Sequence, residues 1–244
     1  MRVAIVSDCH SNTEGLAACL DHAASGGPLD AVWCAGDVVG YGPEPSAVIA
    51  ALRDHPLVLV AGNHDLAACG RIEVDAFNPA AAGAALWSRN QLSAVERDFL
   101  AGLPLTAIAG GFTIVHGSLM QPEWEYLLTA EQALLQFSLQ RTPYSIVGHS
   151  HLPFWFEERT GRAPELRRVG DGDTITLGDT RLILNPGSTG QPRDGDPRAS
   201  YMLYDDAAAT VTWHRVEYDI AATQRKMRAV GANSWLIERL SEGR

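Results

Sequence analysis

The sequence predicts an α/β fold, and three features predict it. Apolar runs of strand length alternate with helical patterns through the N-terminal half. After residue 148 the pattern changes to short strands separated by Gly, Asp and Pro turns, as in an antiparallel sheet built from hairpins. No internal repeat or long polar stretch divides the chain, so one domain spanning residues 1–244 is expected, its second sheet completing the first.

The elements follow in order. "VAIVS" (3–7) reads as a buried strand, and a helix follows from Thr13, as N-cap, to about Ala24. "AVWCAG" (31–36), a helix over Pro43–Arg53 and "LVLVAG" (57–62) continue the alternation. With short loops, that order implies right-handed crossovers and a largely parallel sheet. Pro79–Leu100 is helical with a break near Asn90–Ser93, and residues 105–117 read as a hairpin turning at Gly110–Gly111. A helix over 129–140 precedes the strand "YSIVG" (144–148). The later strands are "PFWFEER", "ELRRVG", "DTITLG", "TRLILN", "ASYMLYD" and "ATVTWHRVEY". From Asp219 the tail carries one or two amphipathic helices, with Gly231 ending the first.

Composition narrows the function classes. An apolar fraction of 46% and a charged fraction of 20% are those of an ordinary globular protein. No apolar run reaches the length of a membrane span. "MRVAIVSD" turns polar at Ser7, so no signal peptide is expected. The four cysteines show no CxxC spacing, which suggests reduced thiols in a cytoplasmic protein. A formal net charge of −10 argues against binding long nucleic acids. It leaves room for a small phosphorylated substrate, because bound cations reverse the sign locally.

The chemistry collects at strand ends. "SDCH" follows the first strand, "GDVVGYG" the second and "GNHD" the third, while "VHG" and "VGHSH" follow two later ones. Functional groups gather at the carboxyl ends of strands in open α/β sheets, so the five clusters are expected to converge on one edge. They offer Asp8, His10, Asp37, Asn63, His64, His116, His149 and His151. Carboxylate, imidazole and amide oxygen together suit hard or borderline divalent metals. So many donors exceed one tetrahedral ion and suit two, about 3.5–4 Å apart and bridged by a carboxylate and by water or hydroxide. No GxxxxGK[ST], GxSxG or HExxH occurs, and "GYGPEP" (40–45) is no dinucleotide fingerprint.

The ordered set "DCH", "GD", "GNHD", "VHG" and "GHSH" over residues 8–151 resembles the calcineurin-like metallophosphoesterase superfamily. "NPGSTGQPRDGDPRASY" (185–201) and "FNPAAAGAALWSRNQLS" (77–93) extend the resemblance to its small bacterial phosphodiesterase branch. The resemblance implies a two-sheet αββα sandwich of mixed sheets flanked by helices, with a dinuclear site at one end. By motif position Asp8, His10 and His151 hold one ion, Asn63, His116 and His149 the other, and Asp37 bridges. The ions are expected to be Mn, with Fe, Ni, Mg or Zn also compatible. His64 is then an uncoordinated acid for the leaving group, with Asp65 bonded to its other ring nitrogen.

Arg193 and Arg198 follow a Pro-Gly loop and could reach a substrate phosphate; exposed loop arginines are the alternative. "GDVVGYG" lacks the arginine of the protein phosphatases' GDxVDRG, which disfavours phosphoprotein. The expected activity is metal-dependent phosphodiester hydrolysis by a metal-bridging hydroxide. A dinucleoside polyphosphate hydrolase or phosphomonoesterase is the alternative within the class, and a catalytically silent metal-binding scaffold is the alternative outside it.

Overall fold

A computed structural model describes residues 1–244. The chain runs β1 (Arg2–Val6), α1 (Thr13–Ser25), β2 (Ala31–Cys34), α2 (Pro45–Arg53) and β3 (Leu57–Leu59). Three helices follow, α3 (Asn63–Cys69), α4 (Pro79–Gln91) and α5 (Ala94–Ala101). Next come β4 (Thr106–Ala109), β5 (Phe112–Val115), α6 (Ala130–Leu139) and β6 (Tyr144–Ile146). The late strands are β7 (Pro153–Glu157), β8 (Arg167–Arg168), β9 (Thr174–Thr176), β10 (Leu182–Pro186), β11 (Ala199–Asp205) and β12 (Thr210–Val216). Helices α7 (Ile220–Ala229) and α8 (Ser234–Glu238) end the chain with a 3-10 turn at Arg239–Ser241. No helix is long and apolar enough to cross a membrane.

Every residue of β1 after Arg2 is buried, which requires a core on both faces. Side chains alternate along a strand, so Val3 and Ile5 face a second sheet while Ala4 and Val6 face helices. The first sheet has the order β3-β2-β1-β11-β12-β9 and the second β4-β5-β6-β10-β7-β8. Between them Trp33, Phe112, Leu184, Met202 and Trp213 interdigitate, each contributing about 1.5–3 kcal/mol by leaving water. The Trp213 indole donates to the Asn185 carbonyl at 2.8 Å, so this large ring is buried without an orphaned donor. Outside the first sheet, Leu16, Cys19, Ile49, Leu52 and Leu100 of α1, α2 and α5 cover Val6, Val32 and Tyr201. Outside the second, Ala133 and Phe137 of α6 cover Val115, Phe154 and Phe156. The layers are helix, sheet, sheet, helix, and both sheets are mixed.

The parallel ladders β1–β2–β3 and β5–β6–β10 match the helical crossovers. The late strands depart from the expected separate antiparallel sheet. β11 pairs antiparallel with β1 and carries β12 and β9 into the first sheet, whereas β10, β7 and β8 extend the second. β10 is buried throughout, so it must lie inside a sheet with neighbours on both sides. A hairpin pattern reports local turns and not which older strand offers a free edge.

The cap of α1 is also one residue from its expected place. Asn12, not Thr13, accepts from the Gly15 amide at 3.0 Å, and its Nδ2 donates to the Gly190 carbonyl at 2.9 Å. Asn supplies both an acceptor and a donor, which a threonine hydroxyl cannot place in the same two directions. Asn12→Ala is expected to cost about 1–2 kcal/mol in urea denaturation, and Thr13→Ala clearly less.

Candidate metal centre

Strands β1, β2 and β3 run parallel, as do β5 and β6 in the facing sheet, so all five loops leave at one end of the sandwich. The five clusters, expected at one edge of a single sheet, instead come three from one sheet and two from the other. The backbone turns sharply to aim them. Asp8, His10, Asp37, His149 and His151 all have φ between 44° and 63°. This left-handed region costs a non-glycine residue about 1 kcal/mol or more, and such strain persists where surrounding contacts over-determine it.

The side chains form two groups. In the first, Asp8 Oδ1 is 3.2 Å from His151 Nε2 and 3.9 Å from His10 Nε2, and those two nitrogens are 3.1 Å apart. In the second, His116 Nε2 is 3.1 Å from His149 Nδ1 and 3.4 Å from Asp37 Oδ2. Asp37 Oδ2 is also 3.6 Å from His10 Nε2, so one carboxylate oxygen stands between the groups. His149 and His151 thus part after Gly148, one to each group.

Hydrogen bonds behind the rings set their direction. His10, His116 and His151 each place Nδ1 against a carbonyl, of Val39 at 3.1 Å, Ala35 at 2.8 Å and Gln191 at 2.5 Å. A carbonyl only accepts, so Nδ1 carries the proton and Nε2 faces the site. Asp8 is held by its Oδ2, which accepts from Ser7 Oγ at 2.6 Å and the His149 amide at 3.1 Å. Its Oδ1, Asn63 Oδ1 and His64 Nδ1 are buried without a hydrogen-bond partner. Orphaned buried polar atoms cost about 1–3 kcal/mol each. Lone pairs of nitrogen and oxygen converging this closely fit divalent cations, and no backbone donor competes for them.

The electrostatics agree with that fit. Burial opposes ionisation of Asp8 and Asp37, but the histidines, His151 for Asp8 and His116 and His64 for Asp37, hold both below the usual carboxylate range. Burial holds His10 and His151 down, His64 at about 4 and His149 at about 3, leaving these rings neutral. His116 is the exception: burial works against its charge, yet the Asp37 carboxylate raises it to about 10. Without a cation between them, the carboxylates keep a proton there instead.

His64 sits at the start of α3, its amide donating to Asp37 Oδ1 at 2.9 Å. Gly62 permits that approach, since a Cβ there would lie 2.1 Å from Asp37 Oδ1. Gly40, at φ +96°, packs beneath the His64 ring, where a Cβ would come within 2.4 Å of Nδ1. The expected bond from Asp65 to His64 is absent. Asp65 accepts instead from the Val39 and Gly62 amides, each at 3.0 Å, as the third residue of a capping box. Burial and then Asp37 push its carboxyl up to about 7.

Asp37, Asn63, His64, His149, His151 and Arg193 line a cavity of about 170 Å³. Arg193 donates to Gln191 Oε1 at 3.0 Å, pairs with no carboxylate, and has a buried Nε without a partner. Arg198 lies elsewhere, paired with Asp196 at 2.7 Å and Asp171 at 3.3 Å, and those partners are why it does not join Arg193. A larger cavity of about 260 Å³ lies across Tyr41, but Tyr41 is the one titratable group in its walls, so it offers no chemistry of this kind. The sequence reading missed the aromatic residues Tyr41, Phe77, Trp124 and Tyr126 around the smaller cavity. They lie in loops without periodicity, and only the strand-end position of "GYG" pointed to Tyr41.

Inward-facing imidazoles and ionised carboxylates at the strand ends of a two-sheet sandwich define a metal-binding α/β protein. The chain belongs to the calcineurin-like phosphoesterase superfamily, whose domain matches residues 1–208, and is thereby of the metal-dependent phosphoester hydrolase class. It is similar to a metallophosphoesterase from Sphaerobacter thermophilus, with 43% identity and a TM-score of 0.89 over 100% of this chain and 99% of that one. An uncharacterized protein of Methanocaldococcus jannaschii is 35% identical over 247 residues, 99% of this chain and 98% of that protein. A hypothetical protein from Pyrococcus horikoshii shares the fold at 18% identity, with a TM-score of 0.81 over 100% of this chain and 98% of that one.

The charged His116 has a measurable signature. Its pKa rises from 6.5 to about 10 on folding, so the stabilisation is complete below pH 6.5 and is lost as pH climbs through 10. Chelator-treated protein should therefore lose stability across that window in urea titrations. Cation binding must displace the same proton, and calorimetry at pH 8 in buffers of differing ionisation enthalpy should register release of about one proton per chain. A flat stability profile with no proton release would count against the arrangement.

Proposed function

We propose that the chain is a phosphodiesterase that uses two divalent cations, Mn first among the candidates and Fe, Ni, Mg or Zn compatible. The observation that carries this reading is Asp37 Oδ2 lying 3.6 Å from His10 in one donor group and 3.4 Å from His116 in the other. Asp8, His10 and His151 would hold one ion and Asn63, His116 and His149 the second, with Asp37 shared. When bound, the ions supply Lewis acidity toward the phosphoryl oxygens and an activated water.

The chain's own residues do the rest. Arg193, free of any carboxylate, is the group available to a phosphate oxygen on the open side of the cavity. His64, held between Tyr41 and Phe77 with Nδ1 unpartnered, is placed to deliver a proton to the departing oxygen. Burial favours its neutral form, and the negative charge of a bound diester offsets that. Asp65 fixes the start of α3, so it positions His64 through the backbone. The substrate is a small phosphorylated molecule. Four free cysteines suit a reducing, cytoplasmic compartment.

Stripped protein reconstituted with Mn²⁺ should hydrolyse bis-p-nitrophenyl phosphate well above p-nitrophenyl phosphate, and lose both activities with chelator. Turnover of neither substrate, despite bound metal, would favour a silent scaffold. His64→Ala should keep its metal and lose about 10²–10⁴-fold in turnover of a diester with an alkoxide leaving group. The loss should be smaller for p-nitrophenolate, which departs without a proton. Gly40→Ala, which drives a Cβ into the His64 ring, should reproduce that pattern. Arg193→Ala should raise KM, and Arg198→Ala should leave kinetics unchanged.

A further inference from the structure

Three imidazoles of the site are aimed by hydrogen bonds from Nδ1 to carbonyls, but His64 is not one of them. Its Nδ1 is buried without a partner, so packing has to set where that ring points. Arg193 is in a similar position. Its Nε is also orphaned, and its guanidinium reaches only Gln191 Oε1 at 3.0 Å and the Tyr41 hydroxyl at 3.5 Å. Tyr41 touches both groups. Its ring centroid lies 4.4 Å from that of His64, 4.5 Å from that of His10 and 5.8 Å from Cζ of Arg193.

The backbone shows that this ring is placed at a cost. Tyr41 has φ at 52°, and the Gly42 amide donates back to the Gly40 carbonyl at 2.6 Å. A three-residue turn with positive φ at its centre is rare and strained, and glycine is the residue that adopts it freely. The flanking glycines let the neighbours close in. A Cβ at Gly40 would lie 2.4 Å from His64 Nδ1, and one at Gly42 2.3 Å from the His10 carbonyl oxygen. A residue needed only to turn the chain here would be a third glycine. Strain carried by a bulky side chain points to work done by that side chain.

The C-terminal helices back the ring. Tyr41 packs against Met227, Leu236, Ile237 and Leu240. Lys226 Nζ lies 2.5 Å from Glu44 at the end of the same loop, and the Gly195 amide, beside Arg193, donates to the Gly243 carbonyl at 2.9 Å. Both α7 and α8 lie beyond residues 1–208, the stretch the family domain matches.

We propose that Tyr41 is a positioning residue for two groups at once: its ring fixes the direction of the His64 imidazole and seats the Arg193 guanidinium. This rests on the roles given to His64 and Arg193 in the phosphodiesterase reading above. Tyr41 acts through those groups, so losing its ring weakens leaving-group departure and substrate binding without releasing metal.

The test uses Tyr41→Gly, which removes the ring and suits the positive φ, beside Tyr41→Phe, which keeps the ring. Both are loaded with Mn²⁺ and assayed on diphenyl phosphate and bis-p-nitrophenyl phosphate, two diesters of similar shape whose leaving groups differ in basicity. Tyr41→Gly should keep its metal, lose about 10²-fold in turnover of diphenyl phosphate, lose clearly less on bis-p-nitrophenyl phosphate, and raise KM for both. Tyr41→Phe should retain most of the turnover. In a His64→Ala background, Tyr41→Gly should lower diphenyl phosphate turnover little further, because residues that act through one another are not additive. Equal losses on the two diesters, loss of metal, unchanged kinetics in Tyr41→Gly, or a phenylalanine variant as impaired as the glycine one overturns the positioning role and leaves the phosphodiesterase reading standing. No turnover of either diester by the unmodified protein overturns that reading, and the positioning role with it.

Discussion

The carboxylate of Asp37 links the helix that presents Asn63 and His64 to histidines from both sheets. One oxygen takes the amide at the start of α3, and the other faces His10 and His116. Its position is set three ways: by the left-handed backbone after β2, by the missing side chain at Gly62, and by the amide of His64. Each is a short-range constraint, and the two made by Gly62 and His64 do not survive a shift of β2 against β3. The parallel ladder between those strands is therefore what keeps Asp37 in register with Asn63 and His64.

An acidic protein that gathers so many carboxylates and imidazoles at one end has to manage their mutual repulsion. It does so by burial, which keeps His10, His64, His149 and His151 uncharged, and by carbonyls that hold the protons of His10 and His151 on the far side of the rings. The result is a concentration of lone pairs in a place where the folded chain has few donors of its own. Arg193 stands beside this arrangement with its guanidinium paired to no carboxylate. It is the one cationic side chain lining a cavity whose donors would be occupied by cations.

Much of this was legible before the fold was known, for a physical reason. Donors such as Asp8, Asp37, Asn63 and His116 follow apolar runs directly, and a parallel sheet sends all such strand ends in one direction. What stayed hidden were groups that every residue possesses. The carbonyls of Ala35, Val39 and Gln191 orient three imidazoles, and nothing in a sequence distinguishes one carbonyl from another. Asp65 was misread because it adjoins His64 in the chain, although adjacent residues in a helix point apart and a third-position acid is a capping signal. Arg198 failed as a companion to Arg193 because Asp196 lies two residues away and takes it. The late strands were recognisable as strands, but their partition between two sheets depends on which older edges stand open.

Four of the donors, Asp8, His10, Asp37 and Asn63, follow strands of the first sheet, and His116, His149 and His151 follow strands of the second. Any cation held among them is a fastener across the seam of the sandwich, adding to the apolar packing and the few hydrogen bonds, such as Trp213 to the Asn185 carbonyl, that already cross it. Occupancy then enters the folding equilibrium by mass action, adding about 2.7 kcal/mol when free ion stands a hundredfold above its dissociation constant. A cell short of the ion would hold a chain that is inactive and also looser at that seam, and so more open to proteolysis. Metal supply would thus set the lifetime of this protein as well as its turnover.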